Sequence, residues 1–348
     1  MKVLKDALLA RPCYGAHVLN PHGLSDLRKR AMMKRSLPAL ATAVLLTGGV
    51  AAFACANWPR GTMSSERSAE NDANRSYRLS VGDAEIEYTD RGEGEPIFLV
   101  HAGVFADWFL PLSDSRELSG FRVIRVRRAG YGSHSPKGHL TLADHARHVR
   151  LLAAHLNISR LHYVGHSSSC QIGLELTLAA PALVKSLVLI EPAAGGGFAV
   201  PAVEKLAIDP RPGMTAAAAG NFAPAFEAFL KGVAGENIRE IIQAKLGKDG
   251  YERAIQESGF FFRDEMPAVL ESKFGPGEGK RVTQPVLNIQ GGAQPTHTVE
   301  LARQITERME TLLPQTETVV IPGGGHALPL QAPDALGRAI AKFVRQHE

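Results

Sequence analysis

The sequence predicts an α/β fold built on a doubly wound, mostly parallel sheet. From Tyr77 onward, short apolar runs alternate with stretches of helical periodicity. Most of these runs are apolar on both faces, as expected of strands covered by helices above and below. At 348 residues, with 45% hydrophobic and 21% charged residues, the chain can bury a sizeable core.

The elements follow in order. YRLSV and AEIEYTD, separated by Gly82-Asp83, read as an opening antiparallel hairpin. PIFLVH, FRVIRV, LHYVG, KSLVLIEP, PVLNIQGG and TVVIP supply six further strands. The spacing breaks once, between Pro192 and about Gln284. There MTAAAAGNFAPAFEAFLKGV, ENIREIIQAKL and YERAIQESGFFFRDEMPAVLESKF read as helices. A helical insertion at about 195–280, between strands 6 and 7, would form a cap over the strand ends. Its Phe222, Phe226, Phe229 and Phe260 to Phe262 read first as core and second as pocket lining.

Ahead of the α/β domain at 77–348, Lys34-Arg35, the apolar run LPALATAVLLTGGVAAFACA and the small-residue site Ala54-Cys55-Ala56 have the three parts of a secretory signal. Residues 33–56 are therefore expected to be a signal peptide, or a membrane anchor if 37–56 stay uncleaved, with a lipid-anchored Cys55 ranked last. The expected start is Met33, which leaves 1–32 as an upstream extension. Residues 57–76 are polar and lack apolar periodicity, as a linker does. All three readings of the leader place the protein outside the cytoplasm, exported to the periplasm or secreted.

The net charge of +4 comes from scattered basic residues, and no basic stripe with interleaved aromatics argues for nucleic acid. Cys13, Cys55 and Cys170 match no zinc or CxxC spacing. His145, His148 and His155 lie on one amphipathic helix, where a solvated face is expected rather than a metal site. No metal and no cofactor are expected.

The chemistry concentrates at two places. In RLHYVGHSSSCQIGLELTLAA a β-branched and aromatic stretch passes through small residues into a helix, with Ser167 at the apex. A serine hydroxyl needs a base and a tightly held position to act as a nucleophile. Gly165 and Ser169, two residues on either side, are small enough for strand and helix to approach, although a serine at 169 is expected to strain the turn. The Ser168 N–H would face a developing oxyanion, with Gly103 of LVHAGVF as the second donor and Val104 as its substitute. Far downstream, His326 follows three glycines in GGGHAL and would serve as general base and then general acid.

Tyr77 to Glu348 resembles the α/β-hydrolase family through DRGEGEPIFLVHAG, GYGSHS, YVGHSSS, LVLIEP, PVLNIQGG and GGGHALPLQAPDAL. The resemblance implies a Ser-His-acid triad in a fold that hosts many reactions. Relatives usually carry the acid in a segment like GGAQPT, where this chain has Gln294, which cannot hold a negative charge. In some relatives the acid ends the preceding strand, and LVLIEP puts Glu191 there; it is preferred to Asp264 or Glu265 of the cap. Two other positions depart from the family. Ala102 replaces a glycine, and Arg127 stands where Asp is common, where a surface role is expected before any contact with anionic substrates. The implied activity is hydrolysis of a small ester, lactone or related acyl compound through an acyl-enzyme. A catalytically degenerate binding protein, an acyltransferase and a carbon-carbon bond hydrolase are the alternatives. The small acyl molecule is the expected partner, with membrane attachment depending on the leader and the oligomeric state left open.

Overall fold

A computed structural model describes residues 75–348, apart from 83, 133–135, 137 and 206–214. The expected leader and nearly all of the linker lie outside the described residues. Among those described, no helix is long and apolar enough to cross a membrane.

All eight strand-like runs form strands: β1 (Tyr77–Ser80), β2 (Glu85–Arg91), β3 (Glu95–Val100), β4 (Phe121–Arg127), β5 (Leu161–His166), β6 (Val184–Ile190), β7 (Val286–Gly291) and β8 (Thr316–Ile321). They make one sheet in the order β1-β2-β4-β3-β5-β6-β7-β8. The pairs β1/β2 and β2/β4 are antiparallel, and every later pair is parallel. Because side chains alternate across a strand, Phe98 and Val100 pack into one apolar layer and Ile97 and Leu99 into the opposite one.

Helices fill both layers. On the Phe98 side lies α1 (Leu142–His155), whose start is closed by reciprocal bonds between Thr141 and Asp144. It is joined there by α2 (Ser168–Ala179). The segment between β6 and β7 is helical as expected, with α3 (Phe222–Ala234), α4 (Ile238–Phe260) and α5 (Met266–Glu271). Two separately predicted helices merge into α4 across a kink at Gly247, where φ is 73°. A π-helical turn, Phe261–Glu265, joins α4 to α5. After β7, α6 (Val299–Leu312) joins the Phe98 layer, and after β8, α7 (Pro333–Gln346) fills the opposite one.

One expectation on α1 fails. His145 and His148 are both buried, and only His155 is exposed. Their face of the helix packs inward, where His145 meets the Phe260 ring, so α1 carries imidazoles in its core face rather than in a solvated one. Burial holds both well below the usual histidine range, His148 at about 4. Among the described residues no group of His, Cys, Asp and Glu is arranged to hold a metal.

Candidate active site

Strand β5 ends at His166 and α2 begins at Ser168, so the chain must reverse at Ser167. It does so at φ 54° and ψ −117°, in the left-handed half of φ space that costs a non-glycine residue energy. Gly165 makes the turn sterically feasible, since a Cβ there would stand 2.6 Å from the Ser169 carbonyl oxygen. Ser169, which replaces the family's glycine, donates its hydroxyl to the His101 carbonyl. The residue expected to strain the turn therefore ties it to the end of β3.

A cavity of about 220 Å³ opens against this turn, and Ser167, His326 and Glu191 all line it. Among the described residues, four non-glycine residues have positive φ, and Val104, Ser167 and Glu191 are three of them. All three border the cavity. Backbone strain of this kind persists where surrounding contacts enforce it, and it gathers at functional sites.

Glu191 follows β6, is buried, and takes φ 48°. Its Oε1 accepts the Gly291 N–H at 2.5 Å and the Gln294 side-chain amide at 2.6 Å. That leaves Oε2 to face His326 Nδ1 at 3.6 Å, an ion-pair rather than a hydrogen-bond separation. Neither Asp264 nor Glu265 is among the lining residues; Asp264 pairs with His139 at 3.8 Å and Glu265 with Arg128. Gln294, which sequence reasoning gave no role, sits against the carboxylate.

His326 is carried by the loop after β8. Its carbonyl accepts a hydrogen bond from His166 Nε2 at 2.8 Å. Burial first, and the nearby His326 second, hold His166 far below the usual histidine range, so it stays neutral beside the catalytic candidate. Nothing in the sequence distinguished His166 from any strand-end residue, and only the packing reveals its partner.

The two expected oxyanion donors differ in availability. Ser168 is in the first turn of α2, where a backbone N–H has no intrahelical acceptor. The Gly103 N–H, in contrast, donates to the Ser168 hydroxyl at 2.9 Å. Val104, at φ 75°, forms the centre of a tight turn closed by Phe105 N–H to Gly103 O at 3.0 Å.

Most of the remaining wall is apolar, with Trp108, Phe229, Phe261, Met266, Val269 and Ile305, and Gln290, Gln294 and Thr298 add polar groups to it. The insertion's aromatics thus divide: Phe229 and Phe261 face the cavity, while Phe226 is core against Phe105. Among the described residues Glu191 is the sole carboxylate in the lining, and no lysine or arginine joins it. Arg127 is elsewhere, donating to Asp107 at 2.7 Å, to the Tyr131 carbonyl at 3.0 Å and to Glu257. Its side chain is mostly buried in these pairs rather than on the surface, and it does not line the cavity.

A model of the alpha/beta hydrolase family matches residues 97–339, spanning the elbow, the strained glutamate and the late histidine. The chain belongs to the alpha/beta hydrolase family. This α/β hydrolase is 26% identical over 267 residues to a candidate esterase/lipase of Haemophilus influenzae, covering 72% of this chain and 84% of that one. Its fold is shared with the carboxylesterase CesB of Bacillus subtilis, at 21% identity, TM-score 0.59, and coverage of 78% and 91%. The enol-lactonase of Burkholderia xenovorans LB400 is similar at 18% identity, TM-score 0.62, and coverage of 77% and 100%.

Proposed function

We propose that this α/β hydrolase is a serine enzyme that cleaves a small, uncharged ester, lactone or related acyl compound through an acyl-enzyme. The observation that carries the reading is the meeting of a strained serine, an imidazole and a carboxylate in the wall of one apolar cavity. The similarity to a candidate esterase/lipase and to the folds of a carboxylesterase and an enol-lactonase supports ester chemistry.

In this mechanism Ser167 Oγ attacks the acyl carbon while His326 takes its proton, and Glu191 offsets the charge on the imidazolium. The carbonyl oxygen becomes negative and is met by the Ser168 N–H and a second N–H from the 103–104 loop. Collapse of the tetrahedral adduct breaks the ester bond, and His326 returns the proton to the departing alcohol. Water then attacks the acyl-enzyme with His326 again as base, releasing the acid and restoring Ser167.

A fluorophosphonate probe tests this directly. Covalent labelling at Ser167, abolished in Ser167→Ala, is expected together with turnover of short p-nitrophenyl esters. A folded wild-type protein that resists labelling would instead favour a binding role. We further propose export through the 33–56 leader; fractionation and N-terminal sequencing of the exported product would reveal cleavage near residue 56, and full-length protein in the cytoplasm would refute it.

A further inference from the structure

Two adjacent arginines leave the end of β4, and each meets a glutamate of the helical insertion. Arg127 pairs with Glu257, and Arg128 Nη2 reaches both oxygens of Glu265 at 2.9 and 3.0 Å. Neither glutamate stops at its arginine. Glu257 Oε2 accepts the Ala106 N–H at 2.7 Å, and Glu265 Oε1 accepts the Ser168 hydroxyl at 2.5 Å. The same hydroxyl takes the Gly103 N–H, while Arg128 Nη2 also donates to the Ala102 carbonyl at 3.0 Å. Residues 102, 103 and 106, the loop that faces the nucleophile, are therefore held by side chains anchored on the insertion.

This arrangement is costly. Arg128 is 2% exposed and Glu265 has no exposed surface, and removing such a pair from water carries a large desolvation cost before their attraction is counted. Glu265 also takes a hydrogen bond from Tyr131, so the carboxylate is surrounded by donors. It is delivered by the π-helical turn, an irregularity found often at functional sites. With the Gly103 N–H occupied, the neighbouring Val104 N–H has no acceptor among the described residues, and Val104 lines the cavity.

We propose that Glu265 is a positioning residue for acyl transfer, acting through the Ser168 hydroxyl to fix the spacing between the 101–104 loop and the Ser167 turn. The insertion then does more than enclose substrate: its docking sets the N–H groups that receive negative charge. The inference rests on Ser167 being the nucleophile.

The test uses the full chain with p-nitrophenyl butyrate. Ser168→Ala keeps the backbone N–H and removes the hydroxyl; kcat should fall about tenfold to a hundredfold, while KM stays within about twofold. Ser168→Thr, which restores a hydroxyl, should recover most of that loss. Affinity for an alkyl boronic acid, which forms a tetrahedral adduct, should weaken by the same factor as kcat, whereas affinity for butyrate should not. Unchanged kcat in Ser168→Ala, a loss confined to KM, or boronate affinity that fails to follow kcat would each overturn the proposal. Glu265→Gln, if folded, should reproduce the Ser168→Ala profile. Fluorophosphonate labelling of the wild type separates the two claims: no label removes the nucleophile, whereas normal labelling with a fully active Ser168→Ala removes only the positioning role.

Discussion

Gln294 donates its side-chain amide to Glu191 Oε1 at 2.6 Å, from the segment where relatives carry the acid itself. The amide and the Gly291 N–H both bind one oxygen, which leaves the other turned toward His326. Charge and support have thus been divided between two loops, with the charge after β6 and a donor after β7. Glu191→Gln should lower kcat by about a thousandfold or more, because a neutral amide cannot offset an imidazolium. Gln294→Ala should cost about tenfold, the loss of one hydrogen bond to a charged group. Steady-state kinetics on both variants tests the division, and equal losses would contradict it.

Arg127 links the end of β4 to Asp107 and to Glu257 of α4, with most of its side chain buried. Arg127→Leu would leave two carboxylates short of their main partner in a poorly solvated place. The expected loss is about 3 kcal/mol, the lower end for breaking a buried pair because the side chain retains 19% of its exposure. Urea unfolding followed by fluorescence reads it directly. A change below about 1 kcal/mol, typical of surface pairs, would mean that the clamp contributes little.

How much could be read from the sequence follows from the range of the interactions. The strands were visible because apolar runs such as LHYVG and KSLVLIEP must be buried on both faces wherever they pair. Ser167 was visible because its turn is local, with every steric requirement within two residues. Gln294 and Glu191 are 103 residues apart, and Ser168 and Glu265 are 97 apart, so no periodicity connects them. His145 and His148 misled for a different reason: helical spacing marks a face without saying whether it packs inward, and polar residues bias the reading toward solvent.

The cavity's lining predicts its charge preference. Among the described residues no lysine or arginine borders it, and Glu191 contributes the one carboxylate. An acyl chain ending in a carboxylate would lose its hydration and face a like charge. Mono-p-nitrophenyl succinate should therefore have a kcat/KM at least about a hundredfold below that of p-nitrophenyl butyrate, since an unpaired buried charge costs several kcal/mol. Comparable values would point to a cation in reach of the acyl chain.

Acid should destabilise the fold well above the carboxylate range. His148 and His162 are both held at about 4, by burial first and then by Arg147 and Lys185 respectively, against the opposing pull of Asp144 and Glu95. His101, His145 and His166 are also held well below the usual histidine range, again chiefly through burial. In the unfolded chain these imidazoles titrate near about 6.5. Between that value and about 4 the unfolded chain binds more protons than the folded one, so the stability of neutral burial is whole above 6.5 and drains away as pH falls toward 4. Thermal midpoints should decline across this window. His148→Leu, which removes one of the proton sites, should decline less steeply between pH 6.5 and 4.5 than the wild type does. Parallel profiles for the two proteins would show that His148 charges as readily in the fold as outside it.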